Sequence, residues 1–237
     1  MNNIICRDAL TEIKKLKNNS IDLICIDPPY LTTNEKWDKK EVVNEELSKE
    51  LFRILKDTGN LYCWCGIGEK SQSLIRWFPI FSKHFKFKDL LTWKKQRGIG
   101  MRKGWLYTRE ELLWYVKDNK QFIWNKKEQY NLKSKRTFTL PNNKSEYNRY
   151  SNVWTDIKEI NQSIVKNSEI SEHYGQKPLE AIDRIIKLHT KKNDIVLDCF
   201  MGSGTTCVSA KSLGRQYIGI DIDQKWCDIT NSRLKKV

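Results

Sequence analysis

Glycine, proline and histidine are scarce in this sequence, and cysteine occurs without any paired spacing. The 237 residues include 11 Gly, 5 Pro and 3 His, a composition that excludes collagen-like and low-complexity chains. The 7 Cys form no CxxC pair, and several, such as Cys25, lie inside apolar runs. We therefore expect reduced, buried thiols in a cytoplasmic protein and no metal site.

Long apolar runs are also absent. The first residues lack the apolar segment of a secretory signal peptide, and no run is long enough to cross a bilayer. We therefore expect neither secretion nor a membrane location.

Positive charge is abundant and unevenly placed. The formal net charge is +14, and residues 83–150 hold 18 basic and 6 acidic residues, whereas residues 1–82 hold 12 of each. Such a block predicts a surface that faces a polyanion, although a solvated lysine-rich face would give the same composition.

The hydrophobic pattern predicts an α/β protein. Short apolar runs at 4–6, 21–26, 60–65, 85–93, 111–116, 194–197 and 216–220 indicate strands. Helical spacing occurs at 9–16, 42–55, 70–78, 177–189, 205–213 and 225–234, while 117–170 is polar and aromatic without clear periodicity. This alternation predicts one domain, residues 1–237, with a mostly parallel sheet and helices on both faces. Ligands of such sheets bind beyond the carboxyl ends of the strands.

A glycine-rich turn follows the strand at 194–197. It begins at Asp198, contains Gly202 and Gly204, and leads into a helix, which is typical of a nucleotide site. The lysine of a P-loop is missing, and the spacing departs from GxGxxG. Asp198 could pair with an ammonium group, and Asp221, which closes the next strand, could bind a ribose diol. S-adenosylmethionine carries both groups, whereas a tight turn with a capping aspartate is the simpler alternative.

A second strand ends at Asp27-Pro28-Pro29-Tyr30. The two prolines remove two amide donors and fix the backbone, so the nearby carbonyls are held rigidly. A carboxylate, a free carbonyl and an aromatic ring would then face one pocket and suit a planar exocyclic amine. A strand-ending turn without further function is the alternative.

Together these motifs resemble those of the amino-methylating DNA methyltransferases. The order, with Asp-Pro-Pro-Tyr first and Asp198-x-Phe200-Met201-Gly202-Ser203-Gly204-Thr205-Thr206 last, resembles the permuted β group. The resemblance implies a Rossmann-like methyltransferase fold that uses S-adenosylmethionine. It implies catalytic roles for Asp27, Pro28, Pro29 and Tyr30. It also implies a cofactor site, formed by Asp8, Lys177, Asp198, Phe200, Gly202, Ser203, Gly204, Thr205 and Asp221.

Two positions depart from the family pattern. The segment from His173 to Pro178 resembles His-Pro-Thr-x-Lys-Pro, but Tyr174 and Gly175 stand where the family has Pro and Thr. A hydroxyl contact to the cofactor is therefore not expected there. Cys199 replaces the usual Pro.

The resemblance also implies a mechanism, in which a flipped base is methylated directly on its exocyclic amine. No proline precedes a cysteine, so the Pro-Cys motif of cytosine ring-carbon methylation is absent. Because Asp rather than Ser opens the motif, we favour adenine N6 over cytosine N4. An inactive DNA-binding subunit and an RNA methyltransferase remain alternatives. A protein-glutamine methyltransferase fits less well, since that group resembles Asn-Pro-Pro-Tyr.

The basic block would hold the DNA. In the family, the segment between the two motif groups carries target recognition, so we expect a recognition insertion at 94–165. Lysines suit phosphates and arginines can also read guanine. The candidate DNA contacts are Lys94, Lys95, Arg97, Arg102, Lys103, Arg109, Lys133, Lys135 and Arg136. The expected partner is double-stranded DNA, while a homodimer and a restriction endonuclease on a separate chain stay open.

Overall fold

The computed structural model describes residues 2–99, 103–137, 145–160 and 175–237. Ten strands and six α-helices occur in these ranges. The strands are β1 (Asn2–Cys6), β2 (Ile21–Ile26), β3 (Leu55–Cys65), β4 (Lys86–Ile99), β5 (Tyr107–Val116), β6 (Tyr130–Lys135), β7 (Tyr147–Arg149), β8 (Val153–Trp154), β9 (Ile195–Asp198) and β10 (Gln216–Asp221). The helices are α1 (Ala9–Ile13), α2 (Glu45–Ile54), α3 (Ser73–Ser82), α4 (Leu179–His189), α5 (Thr205–Ser212) and α6 (Gln224–Leu234).

Eight strands form one sheet in the order β1-β10-β9-β2-β3-β5-β4-β8. The five strands from β1 to β3 are parallel, and β5 enters antiparallel to β3 and β4. The prediction of a mostly parallel sheet is confirmed. Because β2 and β9 are neighbours, the two motifs that follow them meet at one edge of the sheet.

The antiparallel strand β5 adds its beginning to that same edge. Glu111 is opposite Cys65, which ends β3, and Glu110 is opposite Trp93 of β4. Residues 107–116 of the predicted recognition insertion are thus part of the central sheet. Its other described residues include the end of β4 and the small β6–β7 sheet.

Helices cover both faces of the sheet. Leu47 and Leu51 of α2 and Trp77 and Phe81 of α3 are fully buried against one face. Ile182 and Ile185 of α4, with Val208 of α5, are buried against the other. Burying each such side chain contributes roughly 1.5–3 kcal/mol, so these apolar stripes account for the layered arrangement.

Helix α3 runs further than its sequence indicates. Pro79 predicts an end near 78, because proline removes a backbone hydrogen bond, yet the helix continues to Ser82. Phe81, beyond the proline, has no exposed surface and packs with Phe85 and Tyr115. Its burial offsets the missing hydrogen bond.

Candidate active site

The Asp-Pro-Pro-Tyr segment leaves β2 at the centre of the sheet edge. The Tyr30 hydroxyl donates to Asp27 Oδ1 at 2.7 Å, and the Tyr30 ring packs edge-on against Trp77 at 5.8 Å. Burial raises the pKa of Tyr30 well above its ordinary value, and the Asp27 carboxylate adds to the effect. The phenol therefore keeps its proton, donates to Asp27 and orients that carboxylate.

Lys177 lies against the same carboxylate. Its Nζ is 2.5 Å from Asp27 Oδ2 and 3.2 Å from Glu110 Oε2, and its side chain is 9% exposed. Burial alone would lower the pKa of Lys177, but the carboxylates of Asp27 and Glu110 outweigh it and raise the pKa above its ordinary value. Lys177 is thus a charged ammonium between two carboxylates, of which Glu110 belongs to no motif in the sequence.

The loop after Tyr30 is fixed by another residue without a sequence signal. The buried carboxylate of Asp38 accepts hydrogen bonds from the amides of Leu31, Thr32 and Thr33 at 2.7, 2.8 and 2.6 Å. Leu31 has φ of 64°, which is unfavourable for a branched side chain. Three charge-assisted bonds hold this strained turn, so Asp38 rigidifies the segment that carries Tyr30.

The glycine-rich turn joins β9 to α5 and is fastened by α6. Gly202 and Gly204 have φ of 47° and 77°, in the left-handed region that glycine tolerates. Arg233 of α6 donates to the Ser203 carbonyl at 2.6 Å and to the Thr205 hydroxyl at 3.3 Å, and Thr230 donates to the Gly202 carbonyl at 3.1 Å. The sequence did not identify either residue of α6.

The two acidic strand ends flank this turn. Asp198 is 5% exposed and accepts from the Phe200 amide at 3.1 Å. Burial raises the pKa of Asp198 to about 7. The nearby carboxylates of Asp27 and Asp221 add to this effect, whereas the hydrogen bonds from Thr206 and Phe200 oppose it. A nearby cation would restore its charge, and the ammonium of S-adenosylmethionine is such a group.

Asp221 also holds the turn directly. Its Oδ2 accepts from the Gly202 amide at 2.9 Å and its Oδ1 from the Asp223 amide at 3.0 Å. A carboxylate has further lone pairs, so these bonds leave Asp221 able to accept from a ribose hydroxyl. Asp8 caps α1 instead, through the Thr11 amide at 2.9 Å and the Thr11 hydroxyl at 2.7 Å.

One cleft of about 1740 Å³ connects these groups. Its wall includes all four residues of the Asp-Pro-Pro-Tyr segment. It also includes the predicted cofactor residues Asp8, Lys177, Asp198, Phe200, Gly202, Ser203, Thr205 and Asp221. Gly204, between Ser203 and Thr205, is not part of the wall. The anionic strand ends, the glycine backbone and the apolar side chains of Phe200 and Ile222 fit the amino acid, ribose and adenine parts of S-adenosylmethionine.

The predicted DNA contacts fall into three groups. Lys94, Lys103 and Arg109 are exposed, and Arg109 borders the cleft and pairs with Glu111 at 3.0 Å. Lys95 also borders the cleft and is ion-paired with Glu110. Lys133 pairs with Glu180 at 2.8 Å, Lys135 with Glu146 at 3.9 Å, and Arg136 donates to the Tyr147 carbonyl at 3.0 Å. Arg102 and the Arg97 side chain lie outside the described residues. His173, from the segment that resembles His-Pro-Thr-x-Lys-Pro, also lies outside them.

Metal clusters and membrane-spanning helices are absent from the described ranges. Those ranges contain no group of three or more His, Cys, Asp or Glu side chains placed to hold a metal ion. None of the helices that the structure describes is long and apolar enough to span a membrane.

A central parallel sheet with a glycine turn between two acidic strand ends defines a nucleotide-type site, and the adjacent Asp27–Tyr30 pair adds an acceptor for an amine. A profile of the family described as DNA methylase (N6_N4_Mtase) matches residues 21–232. The chain belongs to this family of DNA methyltransferases and is an S-adenosylmethionine-dependent enzyme of the amino-methylating type.

Named relatives and solved structures agree with the family. Type II methyltransferase M.HpaI of Haemophilus parainfluenzae is 30% identical over 98% of this chain and 73% of its own length. Type II methyltransferase M1.MboII of Moraxella bovis is 30% identical, with 98% and 95% covered. The M1.HpyAVI–SAM complex superposes with a TM-score of 0.69, 27% identity and coverage of 99% and 100%.

Proposed function

We propose that this chain transfers a methyl group to the N6 amine of adenine at a specific site in double-stranded DNA. The observation that carries the proposal is the Asp27 carboxylate, oriented by Tyr30 at the end of β2, beside the glycine turn after β9. Support also comes from DNA adenine methyltransferase YhdJ of Escherichia coli, which is 31% identical over 98% of this chain and 82% of its own length.

The cofactor site would use the residues that the sequence indicates. S-adenosylmethionine supplies an electrophilic methyl group on a sulfonium. Asp198 would pair with its ammonium and Asp221 would accept from its ribose, while the Gly202–Gly204 turn lets the backbone approach. Asp8 and Phe200 would border the adenine, because both lie on the cleft wall.

The reacting base would leave the helical stack and enter the cleft beside Asp27. Asp27 and the Pro28 carbonyl would each accept a hydrogen bond from the amine, which aims the nitrogen lone pair, and Tyr30 would stack on the ring. Positioning of this kind supplies most of the acceleration in a direct transfer.

The DNA would lie across the site edge of the sheet. Lys94 and Lys103 are exposed and would face phosphates there, and Arg109 would do so after leaving Glu111. The recognition segment would comprise the end of the β4–β5 hairpin and the described residues after β5, within 94–165. Three further basic residues would contact the DNA after leaving their present protein partners. These are Lys133, Lys135 and Arg136.

Sequencing tests the reaction and identifies the target. The chain is expressed in a methylation-free host, and the genomic DNA is sequenced with detection of modified bases. N6-methyladenine in one sequence context supports the proposal. N4-methylcytosine would show that the target is cytosine N4 and not adenine N6. Modified RNA without any DNA methylation would overturn the proposal. Calorimetry with S-adenosylmethionine separates an active enzyme from an inactive DNA-binding subunit.

A role in restriction–modification follows from the relatives that are named Type II methyltransferases. We place the protein in the cytoplasm, where bacterial DNA is, with any endonuclease on a separate chain. Light scattering with and without DNA measures whether the working form is a homodimer, and plasmid resistance to restriction enzymes measures protection.

A further inference from the structure

Lys177 occupies the position that a reacting amine needs. Asp27 receives the Tyr30 hydroxyl on Oδ1 and the Lys177 ammonium on Oδ2, so both of its oxygens have donors. An incoming exocyclic amine must bond to this same carboxylate. With the ammonium at 2.5 Å, much of the negative charge that would orient the amine is neutralised.

The ammonium also opposes the chemistry electrostatically. As the methyl group arrives, positive charge develops on the base nitrogen, which lies within hydrogen-bond reach of Asp27. A Lys177 ammonium still bound to Asp27 would then be a like charge a few ångströms from the base nitrogen. The limited solvent in the cleft would screen this repulsion only weakly. Methyl transfer is therefore favoured when Lys177 has moved off Asp27.

The structure provides a second acceptor for that movement. Glu110, at the start of β5, has Oε2 3.2 Å from the Lys177 ammonium, and its other oxygen is paired with Lys95. Burial would raise the pKa of Glu110, but Lys177 and Lys95 outweigh this effect and lower the pKa, so the side chain is a carboxylate. A short displacement brings the ammonium onto it.

The aromatic wall limits where Lys177 can go. Its ammonium lies 5.7 Å from the centre of the Tyr30 ring and 5.2 Å from that of Trp64. Cation–π attraction from both rings keeps the charge inside the cleft during an exchange between carboxylates. The side chain therefore has two anionic positions and no need to enter solvent.

We propose that Lys177 is a placeholder for the target amine, held on Asp27 while the pocket is empty and transferred to Glu110 when the base enters. Lys177 and Glu110 are then positioning residues, which act on the reaction through Asp27. The inference rests on the proposed role of Asp27, and it differs from the cofactor-binding role that the resemblance implies for Lys177.

A double-mutant cycle tests the exchange. Glu110→Gln removes the negative charge that makes Glu110 a second position for the ammonium, so we expect kcat to fall at least tenfold with S-adenosylmethionine affinity unchanged. Adding Lys177→Met to Glu110→Gln removes the competing cation and should recover most of that loss. A double variant that is no more active than Glu110→Gln would overturn the proposal, as would loss of cofactor binding in Lys177→Met.

A control pair lies elsewhere in the sheet. Lys56 is bonded to Asp22 at 2.7 Å, away from the cleft, so Lys56→Met in the Glu110→Gln background should recover nothing. If Lys56→Met also recovered kcat, the recovery would reflect general stability. That result would overturn the proposal that Lys177 moves between Asp27 and Glu110. Thermal melting of each variant identifies any that does not fold.

A binding measurement covers the case in which the variants fold but turn over too slowly to compare. Duplexes carry the normal target base or an analogue without the exocyclic amine, and their affinities are compared. In the wild type the amine of the base only replaces the Lys177 ammonium on Asp27, so the ratio of the two affinities should be small. In Lys177→Met no ammonium competes for Asp27, so this ratio should increase severalfold. An equal ratio in both proteins would overturn the placeholder. Failure of the proposed function itself is distinguishable, because the wild type would then methylate no duplex, whereas failure of the proposed role of Asp27 would leave Asp27→Asn with wild-type turnover.

Discussion

At the residue scale, the acidic residues of the cleft are in different electrostatic states. Tyr30 and Lys177 both donate to Asp27, whereas Asp198 has no cation bonded to it in the described part of the chain and has a pKa of about 7. The residue types at these positions were evident from the motifs. Their states were not, because they depend on burial and on contacts that form only in the folded chain, such as that of Lys177 with Asp27.

The raised pKa of Asp198 predicts pH-dependent cofactor binding. Below about pH 7 the carboxyl is neutral and cannot pair with an ammonium, so affinity for S-adenosylmethionine should fall by up to about tenfold per pH unit. Calorimetry at pH 8, 7 and 6 measures this. Asp198→Asn should bind weakly at every pH, and an Asn variant with the wild-type profile would contradict the assignment.

The same shift predicts the opposite trend for stability without cofactor. The native protein holds a proton on Asp198 that the unfolded chain releases between its ordinary value of 3.8 and about 7. The native state binds more protons in this window, so the contribution of Asp198 to the free energy of unfolding falls as pH rises through it. Asp198→Asn should therefore raise the Tm at pH 8 and leave it nearly unchanged at pH 4.

At the element scale, α6 shapes the glycine turn. A methyl group on Gly204 would collide with Thr230, and the φ of 77° adds strain. We expect Gly204→Ala to cost at least about 2 kcal/mol and to weaken cofactor binding. Gly104 is the control, because its φ is 122° but no atom lies within 4 Å of an added methyl. If denaturant unfolding gave equal losses for both variants, contact with α6 would not be the cause.

The end of the β4–β5 hairpin is unusually apolar for an exposed position. Trp105 is 93% exposed and Leu106 63%, next to the exposed Lys103. Because Trp105 is almost fully exposed in the described part of the chain, Trp105→Ala should leave the Tm within about 1 °C and weaken DNA binding severalfold. Fluorescence anisotropy with labelled duplex measures the affinity, and unchanged binding would exclude the tip from the DNA surface.

The helices and strands with a strong hydrophobic pattern could be predicted from the sequence. The stripes of α2 and α4 and the apolar runs of β2 and β9 gave positions within about three residues of those observed. Strands β6, β7 and β8 were not predicted, because their two to six residues are polar or largely exposed and pair only locally or at the sheet edge. Short pairings of this kind depend on partners that the local sequence does not encode.

At the scale of the whole molecule, the net charge of +14 acts through its placement. The basic β4–β5 hairpin lies at the site edge, whereas α6 ends at Leu234 and is followed by Lys235 and Lys236, with Lys235 near Tyr217 at the start of β10. Replacing Lys94 and Lys103 by Gln should reduce the slope of log K against log salt by about 0.9 for each lost phosphate contact. Replacing Lys235 and Lys236 by Gln should leave the slope unchanged, and equal effects would indicate a diffuse attraction.

The central position of β2 has a consequence for how the enzyme is made. Its partner β3 follows soon in the chain, but Asp22 bonds to Ile195 across 173 residues, and Lys177 reaches Asp27 across 150. At roughly 5–20 residues per second, a ribosome leaves that side of β2 unpaired for on the order of 10–30 s. The nascent chain presents an open strand edge throughout that time and becomes a methyltransferase only after β9 and β10 have been made, so products truncated before β9 would be inactive and prone to aggregate.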